Sequence, residues 1–120
     1  MATVLIVEDD QNAQKIYIEK LKLEGIDVIT TVSGKEGLFY AKKRKPNLVI
    51  LDIMLGGDFN GFDVLEALKK DNSLKHIPVL VLTNLDSEEK VAKEIGATEY
   101  LVKANTAIDD LVAKVKSYLH

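Results

Sequence analysis

The sequence predicts an α/β fold, in which one five-stranded parallel sheet is doubly wound and carries five helices on its two faces. Two observations lead to this prediction. Short apolar runs alternate five times with segments of helical periodicity along the 120 residues, a pattern typical of a parallel sheet with covering helices. The runs are also continuously apolar, as expected for strands that are buried on both faces.

The first half of the chain contains three predicted strands and two predicted helices. The strands are Val4–Val7, the β-branched segment Asp27–Thr31, and Asn47–Leu51. The first helix is predicted from an apolar stripe at helical spacing and ends at Gly25; the stripe consists of Ala13, Ile16, Tyr17 and Leu21. The second begins at a capping-box sequence, Ser33 to Glu36, and ends at Pro46; its inward positions are Gly37, Leu38 and Ala41.

The second half begins with a glycine-rich loop, residues 56–61, and continues with three helices and two strands. The inner face of the third helix is predicted to carry Phe62, Leu65 and Leu68. A strand over 78–82 ends in Thr83, and one over 99–102 ends in Lys103. Between them lies a short helix that Gly96 ends. Thr106 is predicted to cap the last helix, whose inner stripe is Ile108, Leu111, Val112, Val115 and Leu119.

Right-handed crossovers leave few topologies for such a chain. We expect the flavodoxin-like strand order 2-1-3-4-5, which opens a crevice between strands one and three. The third strand ends in Asp52, directly at this crevice. Taken alone, Asp52 fits equally well a solvated carboxylate at a strand end and a carboxylate of a functional site.

Polar side chains follow four of the five predicted strands. Glu8 and Asp9 follow the first, Asp52 the third, Thr83 ends the fourth, and Lys103 follows the fifth. Three neighbouring carboxylates raise one another's pKa unless a cation intervenes. Oxygen ligands suit Mg²⁺, and an aspartate can accept a phosphoryl group covalently. The set therefore provides what phosphoryl transfer requires: a carboxylate, a metal site, and a hydroxyl and an ammonium to contact phosphoryl oxygens.

Each of these residues also has a simpler interpretation. Threonine is a common strand residue, a lysine after a strand is usually solvated, and Glu8 and Asp9 could merely favour the start of the first helix. The basic run Lys42–Lys45 similarly suggests phosphate binding, but cations are favourable at a helix C-terminus without any ligand. The hypothesis of a site depends on the joint occurrence of polar residues at one edge of the sheet.

Composition narrows the function classes. The chain has no cysteine, which excludes disulfides, thiolate metal sites and cysteine nucleophiles. Its net charge of −3 argues against a nucleic-acid binder. No apolar run approaches the length of a membrane span, and no signal peptide is recognisable, so we expect a cytoplasmic protein.

Four motifs resemble the receiver (response regulator) domain of two-component signalling over essentially the whole chain. They are Val-Glu-Asp-Asp at 7–10, Leu-Asp-Ile-Met at 51–54, Leu-Thr-Asn at 82–84, and Gly-Ala-Thr-Glu-Tyr-Leu-Val-Lys at 96–103. The resemblance implies one receiver domain over 1–120 that is not an enzyme, although it assists its own phosphorylation and dephosphorylation. The implied partners are a histidine kinase or phosphotransfer protein and an unknown downstream protein. Because the chain ends at the fifth helix, we expect a stand-alone domain or a fragment of a longer protein.

The resemblance also implies a role for each matching residue. Asp52 would accept the phosphoryl group from a phosphohistidine, and Thr83 and Lys103 would contact it. Asp9, Asp52 and the backbone carbonyl of Met54 would hold Mg²⁺, with Glu8 acting through a bound water. Tyr100 matches an aromatic position that swings inward when the threonine moves; from the sequence alone it is a half-buried strand aromatic with its hydroxyl at the surface.

The chain departs from the family pattern at three places. Gly56 stands where a proline is usual, and Gly61 falls nine residues past Asp52 rather than eight. Ala104 replaces the proline that usually follows a cis bond after the lysine, and a cis bond without proline costs about 3–4 kcal/mol. The interval from Thr83 to Lys103 is short, so the fourth helix is expected to be short as well.

Two further hypotheses belong to other function classes. A pseudo-receiver would use the same fold as an interaction module without phosphorylation, as the altered loops after Asp52 and Lys103 suggest. A flavin-binding protein would need a phosphate-cradling loop after the first strand, where Glu8 and Asp9 would repel a phosphate. A Mg²⁺-dependent phosphatase would need a second acid two residues after Asp52, where Met54 stands.

Overall fold

The computed structural model describes residues 2–119. Five parallel strands form one sheet in the order β2-β1-β3-β4-β5, which confirms the predicted fold and strand order. The strands are β1 (Thr3–Val7), β2 (Asp27–Thr31), β3 (Leu48–Leu51), β4 (Val79–Thr83) and β5 (Glu99–Val102). The helices are α1 (Gln11–Leu23), α2 (Gly34–Arg44), α3 (Gly61–Lys70), α4 (Glu89–Ile95) and α5 (Ile108–Ser117).

Two hydrophobic cores lie on opposite faces of the sheet because successive strand residues point to opposite sides. On one face, Leu5, Val49 and Val81 pack with residues of α2, α3 and α4. On the other, Ile6 and Ile50 pack with residues of α1 and α5. The sheet interior is therefore covered on both faces, as its continuously apolar strands require. Within the described residues, none of the helices combines the length and apolar character needed to cross a bilayer.

Most predicted helix faces are confirmed, but the stripe on α1 is partly wrong. Ile16 is 53% exposed, whereas Gln14 is buried in its place. Apolar periodicity alone does not identify an inward polar residue. The Gln14 amide donates to two backbone carbonyls, so its burial leaves no unpaired amide.

The predicted cap of the last helix is also wrong. The capping residue of α5 is Ala107, which makes no side-chain cap. The hydroxyl of Thr106 donates instead to the carbonyl of Val102, back toward β5. A short 3₁₀ turn, Lys103–Asn105, lies between β5 and this threonine.

The predicted cap at Ser33 and the predicted short fourth helix are confirmed. The Ser33 hydroxyl accepts the Glu36 amide, although Glu36 in turn accepts the amide of Val32 rather than that of Ser33. Helix α4 has only seven residues and ends at Gly96, as predicted. Asn60 and Asp63 form a full capping box at the start of α3, which the prediction of a glycine-rich loop had missed.

Candidate functional site

The parallel pairing of β1 and β3 brings the acidic residues together. Val7 lies opposite Leu51, and the amide of Asp52 donates to the carbonyl of Val7 at 3.0 Å. Glu8 and Asp52 therefore leave adjacent strands at the same level. One carboxylate oxygen from each of Glu8, Asp9 and Asp52 lies within 4.8 Å of the others. Glu8 and Asp52 are buried, whereas Asp9 is exposed; the cluster thus opens to solvent on the Asp9 side.

Lys103 crosses this cluster from the end of β5. Its ammonium lies 2.5 Å from Glu8 Oε1 and 2.9 Å from Asp52 Oδ2, and its side chain is 17% exposed. No cis peptide bond occurs in the described residues, so the bond from Lys103 to Ala104 is trans. Although Ala104 stands where the family usually has a proline, the side chain of Lys103 reaches both carboxylates.

The charges in this pocket shift two pKa values. Burial raises the pKa of Glu8, the hydrogen bond from Lys103 opposes that shift, and the charge of Asp52 adds to it; the net direction is upward. For Lys103, burial lowers the pKa, but its bonds to Glu8 and Asp52 outweigh burial and hold the pKa well above its usual range. The lysine therefore stays charged and partly offsets the two carboxylates.

The backbone after Asp52 is fixed by one hydrogen bond and one close contact. The amide of Met54 donates to Asp52 Oδ1 at 2.9 Å, while the Met54 side chain is 49% exposed. Gly61 presses against the chain here: a Cβ at this position would lie 2.2 Å from Ile53 Cα and 2.4 Å from the Asp52 carbonyl oxygen. The extra loop residue thus leaves Gly61 beside Asp52. Gly56 is exposed, with open space around it.

Thr83 ends β4, and Tyr100 lies within the neighbouring strand β5. Thr83 is fully buried, and its hydroxyl accepts the amide of Leu85 at 3.4 Å. In residues 2–119, no hydrogen bond joins Thr83 to Asp52 or Lys103. The ring of Tyr100 is buried, and its hydroxyl donates to the carbonyl of Leu85. The expectation of a half-buried ring with its hydroxyl at the surface was therefore wrong. Both side chains bind the same short segment after β4.

One residue that supports the site, Gln14, is not among the predicted site residues. Gln14 donates from its side-chain amide to the carbonyls of Glu8 at 2.6 Å and Thr31 at 2.8 Å. These bonds tie α1 to the ends of β1 and β2 and fix the backbone that carries Glu8 and Asp9. The signal was available, since Gln14 occupies a helix position three residues before Tyr17 and seven before Leu21, on their inward face.

The pocket's donor set fits a hard divalent cation. Carboxylate oxygens are the ligands that Mg²⁺ takes in proteins, and two buried acids beside an exposed one leave access for its waters.

Residues 4–116 match the response regulator receiver domain. The chain belongs to this family. It is thus a receiver domain of two-component signalling, and its acidic pocket is consistent with phosphorylation and Mg²⁺ binding.

Individual relatives resemble the receiver domain along nearly its whole length. The polar-differentiation response regulator DivK of Brucella anthropi is 31% identical, with 98% of this chain and 95% of DivK covered. The structure of Vibrio cholerae CheY4 superposes with a TM-score of 0.88 at 30% identity, covering 99% of both chains. TrrA of Thermotoga maritima, solved in complex with Mg²⁺ and BeF, gives a TM-score of 0.88 at 31% identity and covers 99% of this chain and 100% of TrrA. Receiver domains are signalling modules, and relatives of this chain bind divalent metal.

Proposed function

We propose that the receiver domain accepts a phosphoryl group on Asp52 from the phosphohistidine of a histidine kinase or phosphotransfer protein. A carboxylate oxygen of Asp52 would attack phosphorus, the P–N bond would break, and the histidine nitrogen would leave with the electron pair. The product is an acyl phosphate on Asp52. The observation that supports this proposal is the buried contact of Asp52 with Lys103 inside the acidic cluster.

The surrounding residues would divide the remaining tasks. Lys103 would turn from the carboxylates to a phosphoryl oxygen, and the Thr83 hydroxyl would leave the Leu85 amide to contact another. Glu8, Asp9, Asp52 and the backbone carbonyl of Met54 would hold Mg²⁺, with Glu8 acting through a water. The metal would offset the charge that accumulates between carboxylate and phosphate. The same groups would assist hydrolysis of the acyl phosphate.

Output is proposed to occur through protein contact. Movement of Thr83 toward a phosphoryl group would release the Leu85 amide, and Tyr100 already holds the Leu85 carbonyl. Phosphorylation would then bias two arrangements of the segment after β4 and change a surface recognised by a downstream protein. A kinase that draws its phosphate from ATP would place this exchange in the cytoplasm.

The test is the mass of the intact protein after incubation with acetyl phosphate or phosphoramidate, with Mg²⁺ or with EDTA. A gain of one phosphoryl group that requires Mg²⁺ and disappears in Asp52→Asn is expected. Asp86→Asn, which alters an exposed aspartate after β4, should be phosphorylated like the unmodified chain. Absence of phosphorylation with every donor, in protein shown to be folded, would instead favour the pseudo-receiver, an interaction module that works without phosphorylation.

A further inference from the structure

A groove unrelated to the acidic pocket lies between α2 and the loop after β3. It has a volume of about 340 Å³ and is lined by Lys35, Leu38, Phe39, Lys42 and Phe59; we call it the α2 groove. Leu38 and Phe59 are half-buried and pack on the hydrophobic core, so the floor of the groove is fixed. Phe39 is 56% exposed. This volume is at the lower end for binding clefts and accommodates one bulky side chain rather than an extended ligand.

Within the described residues, most of the cations beside the groove have no carboxylate partner. Helix α2 carries four cations against one carboxylate, Glu36, although the whole chain has a net charge of −3. The Glu36 carboxylate accepts a hydrogen bond from the amide of Val32, and the Arg44 guanidinium lies 3.6 Å from the carboxylate of Asp27. In residues 2–119, by contrast, Lys35, Lys42 and Lys43 form no ion pair within 4 Å.

The positions of these lysines define a charge pattern. Lys35 and Lys42 are seven residues apart, about two helical turns or roughly 10 Å along the axis, and both line the groove. The Lys43 ammonium lies 5.7 Å from the centre of the Phe39 ring. Two carboxylates are near: Asp58 lines a neighbouring depression with Lys35, and the partly exposed Asp71 lies within electrostatic range of Lys42. An apolar floor is therefore flanked by cations about two turns apart.

We propose that the α2 groove binds an acidic segment of a partner protein that inserts one bulky apolar side chain between Phe39 and Phe59. Carboxylates on either side of this anchor would pair with Lys35 and Lys42. An apolar anchor in a pocket supplies affinity, and charge complementarity supplies orientation and a fast association rate. The partner recognised here is defined by its chemistry: acidic residues spaced about two helical turns apart around an aromatic or leucine.

Two other occupants fit this surface less well. A second copy related by a two-fold axis would bring the same lysines of both copies into one interface, where they repel. A nucleic acid is disfavoured because the surface has few cations and an apolar floor, and because the chain has a negative net charge. The residues that line the groove do not include those of the acidic cluster, so we expect binding there without phosphorylation of Asp52.

The test is a selection of random twelve-residue peptides on the immobilised, unphosphorylated full chain, followed by fluorescence anisotropy with synthesised winners. Acid-rich peptides with a tryptophan, phenylalanine or leucine are expected to be enriched. Their affinity should fall by about tenfold or more in Phe39→Ser and in Lys42→Glu, as for a central anchor and a charge partner. It should also fall as salt concentration rises.

Matched controls separate the groove from exposed surface in general. Val91→Ser and Lys90→Glu alter an exposed apolar residue and an exposed cation of α4, and neither should change the affinity. Circular dichroism verifies that each variant is folded. The proposal is overturned if no acidic peptide is enriched, or if the winners bind Phe39→Ser as well as the unmodified chain. It also fails if sedimentation finds a dimer that Phe39→Ser dissociates, or if a labelled DNA duplex binds in preference to the peptides.

Discussion

The Nζ atom of Lys103 lies 2.9 Å from Oδ2 of Asp52, although the two residues are 51 positions apart. The contact joins the end of β5 to the end of β3 and passes in front of β4, which lies between them in the sheet. Because Lys103 also contacts Glu8, one ammonium forms ion pairs with two buried carboxylates. Lys103 therefore offsets the negative charge of the pocket. A metal ion bound there would have to displace its ammonium from the carboxylates, and a phosphoryl group on Asp52 would have to share it.

Replacing Lys103 by methionine should destabilise the protein near pH 7 in the presence of EDTA. Two buried carboxylates would lose their cation, and breaking such a pair typically costs about 3–5 kcal/mol. The loss should shrink as the pH falls and Glu8, whose pKa is raised by burial, becomes protonated. Urea unfolding at several pH values measures it. Lys90→Met, at an exposed position of α4, should change the free energy of unfolding little; equal effects of both variants would contradict the role of Lys103.

The raised pKa of Lys103 also predicts an alkaline limit. The folded protein holds this proton more tightly than the unfolded chain, whose lysine titrates near 10.5. The resulting stabilisation is complete below that value and is lost as the pH rises above it toward the folded-state pKa. The unmodified protein should therefore lose stability between pH 10 and 11 more steeply than Lys103→Met. Thermal unfolding followed across that range would contradict the assignment if the two slopes were the same.

Gln14→Ala should weaken both the fold and the acidic cluster. The variant leaves the buried carbonyls of Glu8 and Thr31 without their partner, at a cost of about 1–3 kcal/mol. Because those bonds fix the backbone of Glu8 and Asp9, the stabilisation of the protein by added Mg²⁺ should decrease as well. Gln11→Ala is the control, since Gln11 begins the same helix and is exposed. If Mg²⁺ stabilised Gln14→Ala as much as the unmodified protein, Gln14 would have only a structural role.

Gly61→Ala should be destabilising, by about 1–3 kcal/mol, whereas Gly56→Ala should be nearly neutral. The new methyl at Gly61 would meet backbone atoms of Ile53 and Asp52 that cannot move without shifting Asp52 itself. At Gly56 the methyl would enter open space and reduce the freedom of the unfolded chain. Urea unfolding and phosphorylation by acetyl phosphate measure both effects. Normal phosphorylation of Gly61→Ala would show that the loop accommodates the methyl without moving Asp52.

Tyr100→Phe should cost about 1 kcal/mol by removing the hydrogen bond to the Leu85 carbonyl while leaving the buried ring in place. Amide hydrogen exchange after β4 should become faster, because this bond joins the segment to β5. Tyr40→Phe is the control: its hydroxyl forms no hydrogen bond with any other of residues 2–119, so neither stability nor exchange should change. Unchanged exchange near Leu85 in Tyr100→Phe would mean that the tyrosine does not hold this segment.

Local patterns predicted most of the elements because each depends on neighbours in sequence. Continuous apolar runs identified the buried strands, and glycines and prolines marked where helices end. The predictions failed where a residue's partner comes from another element. Ile16 fits the apolar stripe of α1 yet is exposed, and Thr106 fits a helix cap yet bonds to Val102. The helix position of Gln14 indicates an inward side chain, but its partners, carbonyls at the ends of two strands, are visible only in the structure.

By itself, the sequence determined the fold class, the strand order, and the placement of Glu8, Asp52, Thr83 and Lys103 at one edge of the sheet. These follow from burial periodicity and from the restricted handedness of parallel connections. Only the tertiary structure decided that Lys103 contacts two acids, that the Tyr100 hydroxyl bonds to Leu85, and that lysines flank an apolar groove on α2. The reason is physical: hydrogen bonds and ion pairs act over about 3 Å between residues tens of positions apart, a scale on which side-chain direction matters and sequence spacing carries no information.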